Sequence, residues 1–171
     1  RSGCAAIPAP YRERGQMAYR TGRRIVDMVR EDLKPSDIMT KAAFENAIAV
    51  LNCVGGSTNG ILHLLALAHE AGIKLDYGDF ERVRKRTPHL ADMKPGGGYV
   101  MNSLDKIGGI PLVLKRLLDR GLLNGECLTV TGKTMAENLK EVGPGAPDQT
   151  IVRDASDPIH AAGTAVILKG S

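Results

Sequence analysis

A sharp turn is predicted in Leu51-Asn52-Cys53-Val54-Gly55-Gly56-Ser57-Thr58-Asn59, which continues into the apolar run Gly60-Ile61-Leu62-His63-Leu64-Leu65. Two glycines interrupt an apolar segment, and the polar triplet behind them offers helix caps. Such a turn directs several backbone N–H groups into one small space at the positive end of a helix dipole, where carboxylates and phosphates bind. The alternative is a plain glycine-rich connection capped by Ser57 or Thr58.

His63 belongs to the same prediction because it lies one turn after Asn59 on the same face of the expected helix. It could reach a ligand at the turn as a hydrogen-bond donor or proton shuttle, or it could be a hydrogen-bonded core residue. The candidate substrate- or anion-binding residues are therefore Gly55, Gly56, Ser57, Thr58, Asn59 and His63.

The chain around the turn predicts a helix-rich α/β fold with short strands. Helices are expected at 11–33, 41–52, 58–71, 77–85, 99–106 and 111–120, with a further short helix ending near Glu141. The helix at 58–71 is apolar nearly all round, which is typical of a buried central helix. Strands are expected at 128–130, 150–153 and 164–168.

A domain boundary is predicted at residues 143–149, which are rich in glycine and proline. Residues 1–142 are expected to form the helical unit, and residues 150–171 begin a β-like unit. Thr40 is placed as a helix cap and Gly72 as a helix stop.

Composition favours a folded protein in a reducing compartment. The 171 residues are 43% hydrophobic and 25% charged, and no apolar stretch is long enough to span a bilayer. Cys4, Cys53 and Cys127 are far apart and odd in number, which indicates reduced structural thiols. No secretory signal is visible, so a cytoplasmic location is expected, or an organellar one in a eukaryote. The missing initiating Met predicts a fragment or a processed chain.

Several other chemistries are not supported by the residues. Gly132-Lys133-Thr134 lacks the upstream glycine of a phosphate loop, and no pair of carboxylates is forced together. His89 and His160 each stand near an aspartate, but two ligands without a third do not make a metal site. Six arginines between residues 12 and 30 could attract an acidic partner, although the few aromatics argue against nucleic-acid binding. Neither nucleic acid nor a membrane is expected as a partner.

The turn also resembles the Gly-Gly-Ser-Thr-Asn segment of the dihydroxy-acid and phosphogluconate dehydratase family. The order of the similar segments matches the dihydroxy-acid branch best. These segments are Ala5-Ala6-Ile7-Pro8-Ala9, Ala43-Phe44-Glu45-Asn46-Ala47, Gly108-Gly109-Ile110-Pro111, Cys127-Leu128-Thr129-Val130-Thr131-Gly132-Lys133-Thr134 and Asp157-Pro158-Ile159-His160.

The resemblance implies an internal fragment of the family's N-terminal α/β domain, followed by the first strands of a C-terminal β-barrel-like domain. It implies a hydro-lyase that converts 2,3-dihydroxy acids into 2-oxo acids in valine and isoleucine synthesis. The parent enzyme would carry an iron–sulfur cluster and Mg²⁺ and would be a homo-oligomer.

The family's cysteine signatures would precede Arg1, and its Thr-Asp-Gly-Arg type signature would follow Ser171. No cluster ligand, metal ligand or catalytic base is therefore assigned in this chain, and the isolated chain is expected to be inactive. Two alternatives stay open: a sugar-acid dehydratase segment of the phosphogluconate type, and a non-enzymatic helical module that binds a partner through its arginine-rich helix.

Overall fold

Residues 7–168 and 170 are described by a computed structural model, which folds them into eight helices joined by turns and loops. The predicted helix-rich character is confirmed. The helices are α1 (Arg12–Arg30), α2 (Pro35–Ile38), α3 (Lys41–Cys53), α4 (Asn59–Glu70), α5 (Tyr77–Arg86), α6 (Met101–Lys106), α7 (Gly109–Asp119) and α8 (Met135–Leu139).

The core is built around α3, with α5 and α7 packed against it. Ile48 of α3, Phe80 and Val83 of α5, and Val113 and Leu117 of α7 are completely buried. The apolar side chains of α3 recur every three or four residues, and the buried Phe44 and Ile48 place that side of the helix in the core. This arrangement fixes the direction in which the end of α3 points, and the glycine turn begins there.

The helix ends follow local sequence signals. The Thr40 Oγ1 accepts a hydrogen bond from the Ala43 N–H at 3.3 Å, which confirms the predicted cap of α3. Gly72 has a φ of +68° immediately after α4, a conformation that glycine adopts without steric cost, and the predicted stop is confirmed.

A charged cluster joins the start of α3 to α5. Asp79 accepts hydrogen bonds from Lys41 and from Arg82, and its carboxylate also caps the Asp76 N–H. Partial burial raises the pKa of Asp79, but the two cationic hydrogen bonds outweigh burial and bring it down to about 2. The cluster therefore fixes α5 against α3 in the ionised state.

The prediction that the helix after the turn is buried all round is wrong. In α4 only Ile61 and Ala68 are buried, whereas Leu62 is 62% exposed and Leu67 is 51% exposed. Among residues 7–168 the core elements lie on one side of α4, and they leave its opposite apolar side uncovered.

The predicted strands at 128–130, 150–153 and 164–168 do not form. In the described residues the β-structure consists of isolated bridges, including Ala91 with Val152 and His89 with His160. Side chains take the place of neighbouring strands, because the Gln149 amide bonds both the N–H and the C=O of Val152. Barrel-like strands are accordingly not seen in this part of the chain.

The segment that follows the predicted linker is held by more side-chain acceptors. The buried Asn52 Oδ1 accepts from the Ala165 N–H at 3.0 Å, and the Glu81 carboxylate accepts from the Ile167 N–H at 2.9 Å. Ile151 and Val152 belong to the same hydrophobic cluster as the helices. The domain boundary at 143–149 stays a prediction.

Candidate functional site

The glycine turn begins as the C-terminal cap of α3. Gly55 has a φ of +63°, and the Gly56 N–H donates to the Leu51 carbonyl at 2.8 Å. This is the six-to-one hydrogen bond of a Schellman motif, in which the residue after the cap takes the left-handed conformation. The conformation of Gly55 explains why the sequence has glycine at that position.

Gly56 and Gly60 are needed for packing. A Cβ at Gly56 would lie 2.5 Å from the Leu51 Cδ1, and one at Gly60 would lie 2.7 Å from the same atom. The Leu51 side chain therefore passes beneath both glycines and draws the start of α4 close to the end of α3. This close approach brings the polar triplet to the surface between the two helices.

The first N–H groups of α4 are partly used within the chain. The Ser57 Oγ accepts from the Asn59 N–H at 3.2 Å, and the Ser57 and Thr58 carbonyls accept from Gly60 and Ile61. The Thr58 side chain makes no capping hydrogen bond. Within residues 7–168 the N–H groups of Ser57 and Thr58 have no acceptor, and both residues are exposed. The turn thus offers two accessible donors at the positive end of a twelve-residue helix.

The predicted site residues are only partly brought together. Gly55 to Asn59 form one continuous turn, while His63 lies on α4 with its side chain exposed. The imidazole next to the turn is that of His89, whose Nε2 lies 3.4 Å from the position of a Cβ on Gly55.

His89 is enclosed and held in one orientation. The residue is 8% exposed, its Nε2–H donates to the Ala91 carbonyl at 3.0 Å, and its ring stacks on His160 with centroids 5.5 Å apart. Because Nε2 carries the proton, Nδ1 is the unprotonated nitrogen, and it is buried without a partner among the described atoms. Burial, followed by the neighbouring His160, lowers the pKa of His89, while its hydrogen bond to Ala91 acts in the opposite direction.

Sequence reasoning missed this histidine, since it grouped His89 with Asp92 as a possible metal fragment. Residues 87–91 are all buried, yet their sequence has neither the helical nor the alternating apolar pattern from which burial could be predicted. The contact between His89 and His160 spans 71 positions of sequence and has no local signature.

The cysteines in the described part of the chain do not fit an iron–sulfur cluster. Burial raises the pKa of Cys53 to about 12, and burial also raises that of Cys127, so both resist forming the thiolate that a cluster needs. Cys4 lies outside the described residues. Across residues 7–168 and 170, no three His, Cys, Asp or Glu side chains are grouped so that they could hold a metal ion.

Two further observations concern the Gly132-Lys133-Thr134 segment and the apolarity of the helices. Thr134 caps α8 and is paired with Glu137 in a capping box, which accounts for the Gly132-Lys133-Thr134 segment structurally. No helix in the described residues combines the length and apolarity required to cross a membrane.

Comparison with known proteins assigns the chain to a family. Residues 1–138 match the model for the dihydroxy-acid/6-phosphogluconate dehydratase N-terminal region, and the chain belongs to this family. The predicted resemblance is confirmed.

Individual relatives extend the match over nearly the whole chain. Dihydroxy-acid dehydratase 1 of Nocardia farcinica is 54% identical over 169 residues, which cover 99% of this chain and 30% of that protein. The dihydroxy-acid dehydratases of Leifsonia xyli and Mycobacterium leprae are each 53% identical over the same length and coverage. The chain spans about 30% of the length of the curated relatives that it matches.

Proposed function

We propose that this chain is a segment of a dihydroxy-acid dehydratase, a hydro-lyase that converts 2,3-dihydroxy acids into 2-oxo acids for valine and isoleucine synthesis. The observation that carries the proposal is identity of 53–54% across 99% of the chain to proteins of that name. The parent enzyme would work in the cytoplasm, or in an organelle of a eukaryote, as a homo-oligomer.

The parent enzyme would need an iron–sulfur cluster to act as a Lewis acid and Mg²⁺ to orient the substrate. We infer that other parts of the enzyme would hold both groups; support comes from the raised pKa of the buried Cys53 thiol and from the lack of a three-ligand group among residues 7–168 and 170. The isolated chain is therefore proposed to be inactive. Turnover of a dihydroxy acid after anaerobic reconstitution of this chain with iron and sulfide would contradict that proposal.

Within the parent enzyme, Gly55 to Asn59 would contact the anionic end of the substrate. Support comes from the exposed N–H groups of Ser57 and Thr58, which lack internal acceptors, and from their place at the start of α4. His63, one turn further along an exposed side of the same helix, would contribute only if the ligand extended along α4. His89 would act indirectly, by filling the space beside Gly55.

A sugar-acid dehydratase is the second candidate, because the matching family model covers both dihydroxy-acid and 6-phosphogluconate dehydratases. A phosphate group would suit the same two N–H donors as a carboxylate. The names of the most similar relatives favour the dihydroxy acid.

A chimeric enzyme tests the assignment directly. The 169 aligned residues of the Nocardia farcinica dehydratase are replaced by this chain, and formation of 2-oxo acid is measured with a branched 2,3-dihydroxy acid and with 6-phosphogluconate. We expect activity on the dihydroxy acid alone. A folded, cluster-loaded chimera without activity on that substrate would refute the assignment, and activity on 6-phosphogluconate would favour the second candidate. The same enzyme without the segment is the negative control.

A further inference from the structure

Helix α1 has an apolar surface that the rest of the described chain leaves open. Met17 and Met28 are its only buried residues, whereas Tyr19, Ile25, Val26 and Val29 are between 49% and 77% exposed. At 100° per residue Ile25 and Val29 lie beside the two methionines, whereas Tyr19 and Val26 lie on the opposite side of the helix. We call Ile25 and Val29 the α1 outer face. A 19-residue helix with so wide an apolar side normally buries it against another element.

The outer face continues into a groove between α1 and α2. The groove has a volume of about 470 Å³, and its walls are predominantly apolar. It is lined by Met17, Ile25, Met28, Ile38, Met39 and Val130, among others. Methionine side chains are flexible and polarisable, and they are common where a protein surface adapts to an incoming helix.

The charge of the chain is concentrated on the same helix. Helix α1 has six arginines against Glu13 and Asp27, an excess of four positive charges, and the whole chain has a net charge of +4. The remainder of the chain is therefore neutral in sum. Arg24 is already paired with Glu31 at 2.7 Å, but Arg20 lines the groove and has no ion pair within the described residues.

We propose that the α1 outer face and the adjoining groove bind an acidic amphipathic helix. The apolar side chains of that helix would enter the groove, and its carboxylates would face Arg20 and the arginine-rich side of α1. The proposal goes beyond the dehydratase assignment and does not depend on it. A second copy of this chain fits less well, because paired α1 helices would bring arginine-rich edges together. A lipid surface fits less well because a flat bilayer cannot fill a concave groove.

The proposal is tested with two synthetic helical peptides of about 16 residues that share the same leucines at i, i+3, i+4 and i+7. One carries glutamate at its remaining positions and the other carries lysine. Binding to the 171-residue chain is followed by fluorescence anisotropy at low and high salt. We expect the acidic peptide to bind at least about tenfold more tightly than the basic one, and high salt to reduce this difference.

Variants locate the binding surface. Ile25→Glu and Val29→Glu should each weaken binding of the acidic peptide by about tenfold or more, since they place a carboxylate on the contact. Leu62→Glu, at an exposed leucine of α4, is the matched control and should leave the affinity unchanged. Val29 is 77% exposed, so its replacement keeps the test valid even if Ile25→Glu disturbs α1.

Three results would overturn the proposal. The first is equal affinity for the two peptides or for wild type and Val29→Glu. The second is self-association of the chain that Val29→Glu abolishes, which would assign the face to a second copy. The third is binding to vesicles that contain phosphatidylserine in the absence of binding to the acidic peptide, which would assign it to a lipid surface.

Discussion

The backbone N–H of Thr58 is a donor that can be deleted without breaking any hydrogen bond among the described residues. Thr58 has a φ of −58°, which proline also adopts, and its N–H has no acceptor within residues 7–168. Thr58→Pro therefore removes one donor from the proposed anion site, whereas Thr58→Ala keeps the donor and loses the same side chain. A hydrogen bond to a charged group contributes about 1.5–3 kcal/mol. Since Thr58 is exposed to competing water, we expect the lower value, or roughly tenfold weaker binding.

The assay is an NMR titration of the 171-residue chain with inorganic phosphate and with glycerate, a simple 2,3-dihydroxy carboxylate, at constant ionic strength. Amide shifts of Ser57 and Asn59 report on the turn in all three proteins. Thr58→Ala should bind like wild type and Thr58→Pro about tenfold more weakly. Equal affinities for the two variants would refute the role of this N–H. A bulky residue at Gly56 would be less specific, because its Cβ would lie 2.5 Å from the Leu51 Cδ1.

Three further predictions concern stability. Gly22→Ala should stabilise α1 by up to about 1 kcal/mol, because Gly22 lies inside the helix and its added Cβ meets no atom within 4 Å; slower amide exchange in α1 would show it, and unchanged exchange would contradict it. Asp79→Asn should cost up to about 2 kcal/mol at neutral pH, since the low pKa of Asp79 stabilises the fold above pH 4 and this contribution is lost as the pH falls towards 2. Urea unfolding at several pH values should therefore show that the free energy of unfolding falls less at acid pH for the variant than for wild type. Asn52→Ala should lower the free energy of unfolding by about 1–3 kcal/mol, because the buried Ala165 N–H loses its acceptor; an unchanged urea midpoint would exclude that role.

The helices could be predicted because their signals are local. The cap at Thr40, the stop at Gly72 and the apolar spacing of α3 each depend on residues within one or two turns. The glycine turn was predicted for the same reason, although the role of Gly56 and Gly60 in accommodating Leu51 needed the folded geometry.

The exposed side of α4 and the fate of the last segment could not be predicted in this way. Which side of an all-apolar helix is covered depends on elements far away in sequence, and no element in the described part of the chain covers Leu62 and Leu67 of α4. The β-like run at 150–153 was expected to pair with strands, but it forms only the isolated bridge of Val152 with Ala91, and the Gln149 side chain bonds the N–H and C=O of Val152. The periodicity of a segment shows which of its positions are apolar, but it does not show which groups its backbone will hydrogen-bond.

His89 connects the glycine turn to the last segment of the chain, and it makes the fold sensitive to pH. Burial and the stacked His160 lower the pKa of His89 in the folded chain, whereas an unfolded histidine has a pKa of about 6.5. The unfolded chain therefore binds the proton more readily, so this contribution to stability is complete above pH 6.5 and is lost as the pH falls towards the lower, folded value. Asp92 is the nearby carboxylate, and it favours the charged ring too weakly to reverse the direction.

The matching experiment compares urea midpoints at about pH 7.5 and about pH 5.5 for wild type, His89→Gln and His69→Gln. His89→Gln keeps a donor for the Ala91 carbonyl but cannot titrate, so its midpoint should fall less on acidification than that of wild type. His69 is exposed on α4, and its replacement should retain the wild-type fall. If His89→Gln loses as much stability on acidification as wild type, the buried imidazole is not the group that titrates. The attachment of residues 159–160 beside the glycine turn would then be insensitive to protonation of His89.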